Sequence, residues 1–287
     1  MTIVFNMKYI SLISVVLFGI LTQNIQAQEK SAAEIKVMSY NIRTGTAKDG
    51  TNSWNFRFSS TAMMLDEVKP DVFGIQEALN SQVMYIDEMC ENYDYVGGGR
   101  DDGKKKGEYT AIFWNKKTVK KIKWGMFWLS ETPDKPSKGW DAKCMRTATW
   151  AVMKHKKSGK EFFFINTHLD HVGTEARKNA LSLIVSQVEK LNKDSLPVVF
   201  TGDFNLNHDS PVLSALDGKF QNTRKIAAKT DSNRTFNKWG KEKGDKIIDH
   251  IYVSGFSSCM EYRTVTEKFG DRKFISDHYP IISILTF

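Results

Sequence analysis

Short apolar runs separated by polar turns fill the chain from residue 35 onward, and their spacing alternates between two periods. "EIKVMSYNI" reads as a buried strand and "TGTAKDGTNSWNFR" as a loop. "FRFSSTAMMLDEVKP" carries helical spacing and stops before Pro70, "DVFGIQEAL" predicts a second apolar strand, and "SQVMYIDEMCENY" predicts another helix. This alternation predicts an α/β layout. The middle of the chain changes character. "YTAIFWN", "VKKIKWGMFWLS", "RTATWAVMKHK" and "KEFFFINTHLD" are rich in aromatic and β-branched residues, with "HKKSGKE" as the turn of a hairpin. A helix from about Glu175 to Leu191 follows, then "LPVVFTGDFN" as a strand running into a polar turn. "KIIDHIYVS" and "YPIISILTF" close the chain as strands. With no repeat, linker or break in composition after Gln28, residues 28–287 read as one domain containing two sheets.

The first residues do not fit that pattern. A lysine, an apolar run from Tyr9 to Leu21, then small and polar residues ending at Ala27 read as a signal peptide over residues 1–27, cleaved before Gln28. Nothing after Thr22 prolongs the run, which disfavours an uncleaved anchor. The expected mature protein is an exported monomer, periplasmic or extracellular, with no stable membrane anchor. Cys90, Cys144 and Cys259 have no metal-type spacing, and the sequence does not say whether any two are bonded. The formal net charge of +8 favours anionic partners.

Candidate chemistry gathers at strand ends. "SYN" ends in Asn41, "GIQE" in Glu77, "FINTHLD" in Asn166, His168 and Asp170, and "FTGDFN" in Asp203 and Asn205. "KIIDHIYVS" carries Asp249 between apolar neighbours, and "FISDHYP" carries Asp277 and His278. Singly, each has an ordinary structural explanation, such as a turn cap or a hydrogen-bonded core histidine. Together, so many acid, amide and imidazole groups at the ends of apolar strands point to a shared pocket.

In chain order, "SYNIR", "GIQEAL", "GEYTAIFW", "RTATW", "NTHLD", "GDFN", "IDHIYVS" and "SDHYP" resemble the motifs of the endonuclease/exonuclease/phosphatase superfamily, the fold of deoxyribonuclease I. "DGTNSWNFR" and "FWLSETPDKPSKGWDA" further resemble a branch of secreted bacterial members. The resemblance spans about Lys36 to Phe287. It implies a four-layer α/β/β/α sandwich of two mixed sheets flanked by helices, with the pocket at one end.

It also implies a divalent-metal-dependent hydrolase of phosphate esters acting by in-line attack of water. Glu77 is then the anchoring metal ligand, joined by Asn41 and Asp277 directly or through water. Such oxygen ligands favour Mg2+ or Mn2+. His278 is the implied general base, oriented by Asp249. Asp203 and Asn205 hold the nucleophile and a phosphoryl oxygen, with Asp203 the competing proton acceptor. Glu108 matches the glutamate that pairs with the histidine of "NTHLD", here His168, which donates to the phosphate or protonates the leaving group. Arg146 matches a phosphate-contacting arginine, with a surface salt bridge as its plainer reading.

The substrate is an anionic phosphoester, with nucleic acid among the candidates. The arginine after the GDxN turn and the Trp-x-Asp-Arg element of inositol-polyphosphate phosphatases are missing. A secreted phosphodiesterase or nuclease is the first expectation, with Lys104, Lys105 and Lys106 either tracking a phosphate backbone or forming a solvated edge, and Trp54 and Trp140 either stacking a base or sugar or pinning down their loops. The alternatives are a sphingomyelinase-like lipid phosphodiesterase, a phosphomonoesterase on the same site, and a catalytically dead binding module, which the presence of both Glu77 and His278 disfavours.

Overall fold

Along Glu161–His168 successive side chains point to opposite faces of a strand, and both faces are buried. Phe162 and Phe164 enter an apolar layer shared with Val37, Val72, Val199 and Ile251. Phe163 and Ile165 enter a separate layer with Leu181, Ile184 and Phe200. A strand covered on both sides needs a sheet over one face and a helix over the other, and this chain supplies both. The computed structural model describes residues 33–287; the predicted signal peptide lies outside the described residues.

In chain order the elements are β1 (Glu34–Asn41), α1 (Phe58–Val68), β2 (Val72–Gln76), α2 (Asn80–Met89), β3 (Tyr93–Val96), β4 (Ile112–Asn115), β5 (Val119–Trp128) and β6 (Thr147–His155). There follow β7 (Glu161–His168), α3 (Thr174–Leu191), β8 (Val198–Asp203), β9 (Gln221–Asn222), α4 (Thr223–Ile226), β10 (Asp249–Ser254), β11 (Ser258–Thr264) and β12 (Ile281–Thr286). One six-stranded sheet has the order β11-β12-β1-β2-β4-β3, the other β5-β6-β7-β8-β10-β9. Each contains one parallel pair, β1 with β2 and β7 with β8, joined by a crossover through α1 or α3. The sheets face each other, α1 and α2 cover the outside of the first, and α3 covers the second. This is the four-layer α/β/β/α sandwich expected from the sequence.

Local chemistry explains the helices. In α1 the buried Thr61, Met64, Leu65 and Val68 lie on one stripe, and Lys69 ends the helix in a left-handed conformation before Pro70. The first turn of α3 is capped from afar: Asp141 accepts the N–H of Ala176 at 2.7 Å. No helix among the described residues is long and apolar enough to cross a membrane. Cys90, Cys144 and Cys259 are free thiols.

Strand parity places the site. The inward positions of β1 run Ile35, Val37, Ser39, Asn41; those of β7 run Phe162, Phe164, Asn166, His168; those of β8 run Val199, Thr201, Asp203. Each series is apolar at one end of the sandwich and polar at the other. The transition is a buried hydrogen-bonded layer. Gln76 donates to Asn166 Oδ1 at 2.7 Å, Thr201 Oγ1 donates to the same oxygen at 3.0 Å, and Asn166 Nδ2 donates to the carbonyls of Ile75 and Ala111. Gly74 makes room for this layer, since a Cβ there would lie 2.4 Å from the Asn166 side chain.

Candidate active site

Register aligns the polar ends across each sheet. His168 stands opposite Asp203, which stands opposite Asp249; Asn41 stands opposite Gln76, and Glu77 follows at once. Glu77 leaves β2 with φ 64, a left-handed turn uncommon for a non-glycine residue. Asn41 Nδ2 donates to Glu77 Oε1 at 3.1 Å and to Asp203 Oδ2 at 2.9 Å, and the Thr44 N–H donates to Glu77 Oε2 at 3.0 Å. These contacts fix a carboxylate from each sheet around one point.

His278 Nδ1 lies 2.8 Å from Asp249 Oδ2, and its Nε2 lies 3.7 Å from Asp203 Oδ2. Burial opposes a charge on this imidazole, but Asp249, Asp203 and Asp277 outweigh it and raise its proton affinity. Burial likewise raises Asp203, against the pull of His278. Asp277 is raised by burial and by the charge of Glu77, offset by His278 and Arg43.

His168 is held neutral by burial and by the positive charges of Arg146 and Arg100. Its Nε2 lies 3.1 Å from Asn205 Nδ2 and 3.4 Å from Asp203 Oδ2. Asn205 sits at φ 50 and is held there by its own N–H bonding to Asp203 Oδ1 at 2.9 Å.

One expectation is corrected. Glu108 does not pair with His168. It receives Arg100 Nη1 at 2.5 Å, and His168 Nδ1 is buried without a protein partner. The reason is local: the Arg100 N–H donates to the Glu108 carbonyl, so the intervening turn sets a guanidinium beside the carboxylate, where a full charge outcompetes a neutral ring. Asn41 is not among the residues lining the cavity. It is fully buried, its oxygen accepts the Arg43 N–H, and its amide nitrogen donates to the Glu77 and Asp203 carboxylates.

Arg146 is buried, which removes the surface-salt-bridge reading. Its Nε lies 3.5 Å from Asp170 and its Nη2 3.0 Å from His171, while Nη1 has no protein partner. Asp170 is a firm anchor. Burial would raise its pKa, but the N–H groups of Gly173, Val172 and Cys144 hold it well below the usual carboxylate range.

All this opens into one cavity of about 580 Å³. Of the expected residues, Glu77, Glu108, Arg146, His168, Asp203, Asn205, Asp277 and His278 line it, with Asp249 behind His278. The sequence reading missed Arg43, Arg100, Phe236, Lys238, Trp239, Lys246 and Ile248. Arg43 stood inside the quoted "SYNIR", and Lys246 and Ile248 inside "KIIDHIYVS", whose strand begins only at Asp249; the rest come from loops whose paths the sequence does not disclose. Trp54 packs against Tyr85 and Phe58, and Trp140 against the α3-side core. Neither lines the cavity, and the exposed Lys104, Lys105 and Lys106 do not either.

The donor set fits a hard divalent cation. Ligand atoms of Glu77, His168 and Asp203 lie within 4.8 Å of one another. The Asp277 carboxylate crowds the same region, close enough for Glu77 to raise its pKa. Carboxylate oxygens gathered in this way are the donors a hard divalent cation takes.

Residues 38–278 match the model of the Endonuclease/Exonuclease/phosphatase family. A protein of that family from Bacteroides thetaiotaomicron is 35% identical, with a TM-score of 0.85 over 89% of this chain and 98% of its own. A mannosyl-6-phosphatase from Bacteroides thetaiotaomicron VPI-5482 is also 35% identical, with a TM-score of 0.84 over 88% of this chain and 100% of its own. An uncharacterised protein of Acanthamoeba polyphaga mimivirus is 25% identical over 268 residues, covering 87% of this chain and 99% of its own.

Proposed function

Because this chain belongs to the Endonuclease/Exonuclease/phosphatase family, we propose that it is a metal-dependent phosphomonoesterase whose substrate is a sugar phosphate. The observation that carries the reading is the charge around the His278–Asp249 pair. Arg43, Arg100, Arg146, Lys238 and Lys246 line the cavity against Asp49, Glu77, Glu108, Asp203 and Asp277. A divalent cation tips that balance positive, which suits the dianion of a monoester better than the monoanion of a diester. The 35% identical mannosyl-6-phosphatase supports a sugar as the alcohol. The first expectation from sequence, a diester, leaned on Lys104–Lys106, Trp54 and Trp140, which lie outside the cavity.

Glu77 and Asp277, with Asp203, would hold the cation. When bound it neutralises charge on the phosphoryl oxygens as the ester bond breaks. Arg146 directs its free Nη1 to a phosphoryl oxygen, with Asp170 fixing the guanidinium plane. The Asp203–His278 pair takes the proton of the attacking water, and Asp249 fixes the imidazole so that Nε2 faces the cavity. His168, neutral, and Asn205 hold the other side of the phosphate.

The test compares kcat/KM for mannose 6-phosphate and p-nitrophenyl phosphate with that for bis-p-nitrophenyl phosphate and a DNA oligonucleotide, with Mg2+ present. The monoesters should win by at least about tenfold, ~1.4 kcal/mol of transition-state stabilisation. A clear diester preference overturns the reading.

A further inference from the structure

The cavity has two unlike halves. One is charged and holds the groups described above. The other contains all its large apolar side chains, Phe236, Trp239 and Ile248, and these come from a single segment, residues 236–248. The same segment adds Lys238 and Lys246, and Lys246 Nζ lies 5.3 Å from the centre of the Phe236 ring. None of these side chains takes part in the reaction steps above.

The segment is built to hold a tryptophan ring at the cavity. Lys238 and Trp239 are both left-handed, with φ 49 and 57, a conformation bulky side chains rarely adopt. The buried Asn237 enforces it. Its Oδ1 accepts the Trp239 N–H at 2.8 Å, its Nδ2 donates to the Ser276 carbonyl at 3.1 Å, and the N–H groups of Asn237 and Lys238 both donate to the Asp277 carbonyl. Arg57 backs the ring, with Cζ 5.6 Å from its centre. That arginine is itself 1% exposed and donates to the carbonyls of Asn52, Ile42, Ile275 and Arg43. Strain of this kind persists only where surrounding structure over-determines it, and it gathers at ligand-binding sites. A packing role alone would bury the ring, yet Trp239 is only half-buried, at the cavity wall.

We propose that Trp239 is the platform for the alcohol half of the substrate, a pyranose ring, with Lys238 and Lys246 donating to its hydroxyl groups. This subsite rests on the monoesterase reading. A pyranose presents a face of carbon-bound hydrogens to an indole and a rim of hydroxyls to ammonium groups, which is the pattern this wall offers. The platform is joined to the reacting centre: Phe236 bridges to His278 along the backbone, and its ring meets the imidazole edge-on at 5.0 Å.

The experiment measures mannose 6-phosphate hydrolysis and its competitive inhibition by inorganic phosphate in wild type, Trp239→Gly and Trp239→Phe. Glycine suits the left-handed backbone, so the first variant removes the ring without lowering Tm. Trp239→Gly should raise KM for mannose 6-phosphate by about tenfold, or ~1.4 kcal/mol of binding, and leave the Ki for phosphate within about twofold. Trp239→Phe, which keeps a flat face, should recover most of the loss. An unchanged KM, or a phosphate Ki rising in parallel with it, overturns the subsite. A wild type active on p-nitrophenyl phosphate but not on mannose 6-phosphate overturns the subsite and leaves the monoesterase reading standing. A wild type that cleaves only diesters overturns both.

Discussion

The 2.8 Å contact between His278 Nδ1 and Asp249 Oδ2 joins the two sheets. Asp249 opens β10, in the sheet that also carries His168 and Asp203; His278 stands just before β12, in the sheet that carries Glu77. The imidazole is therefore oriented by the sheet opposite its own. His278→Ala should lower kcat by about 10²–10⁴, and Asp249→Asn by less, because the ring stays in place with a weaker partner. The double variant should lose little beyond His278→Ala alone. Steady-state kinetics on the three proteins check this, and fully additive losses would mean that the residues act apart.

Glu77 faces the cavity from a left-handed turn, held by Asn41 and Thr44, and it lines no apolar core. Glu77→Gln keeps the shape and removes one charge from the cation site. We expect kcat to fall by about 10²–10³, the several kcal/mol a metal ion contributes to charge stabilisation, with Tm little changed. Calorimetric titration with Mn2+ gives a second readout, since affinity should fall in parallel. Full rate at low Mg2+ would remove Glu77 from the cation site.

Strand-end chemistry was legible because acid, amide and imidazole groups recur at the ends of several largely apolar strands, β1, β7 and β8 among them, where one alone would have had an ordinary structural explanation. Parity then carried Asn41, His168 and Asp203 inward without further information. What the sequence did not disclose depends on loop paths. Glu108 was matched to His168 by motif, but the turn before it delivers Arg100 instead. Trp239 looks like any loop tryptophan until Asn237 is seen bonded to a segment about forty residues away. The strand β11, "SCMEYRT", escaped for another reason. It is a half-exposed edge with a bulge between Cys259 and Glu261, so the period-2 signal is broken.

The polar layer between the sheets predicts a stability effect. A Cβ at Gly74 would lie 2.4 Å from Asn166 and 2.6 Å from Thr201 Oγ1, inside a buried network. Gly74→Ala should destabilise by about 1–3 kcal/mol, as overpacking does, and lower Tm by several degrees. Thermal unfolding decides the matter, and an unchanged Tm would mean that the sheets part there at no cost.

The last prediction concerns acid. His250 is fully enclosed, its ring packed on Phe204 at 5.1 Å and its Nε2 donating to the Leu206 carbonyl at 2.9 Å. Burial lowers its pKa to about 4, and the Leu206 carbonyl and Asp249 only partly offset this. The unfolded chain takes up the proton near the ordinary histidine value of ~6.5. Between those two values the unfolded state binds more protons than the folded state, so stability is fully present above about 6.5 and is lost as pH falls toward 4. The loss from this one residue has a ceiling of about 3 kcal/mol. His168, also held neutral by burial, acts in the same direction, whereas Asp170 titrates at lower pH and is separable. His250→Gln keeps a side-chain donor for the Leu206 carbonyl and removes the titrating group. Its denaturation midpoint should fall less steeply than that of wild type between pH 6.5 and 4.5, and parallel curves for the two proteins would mean that His250 does not carry the effect.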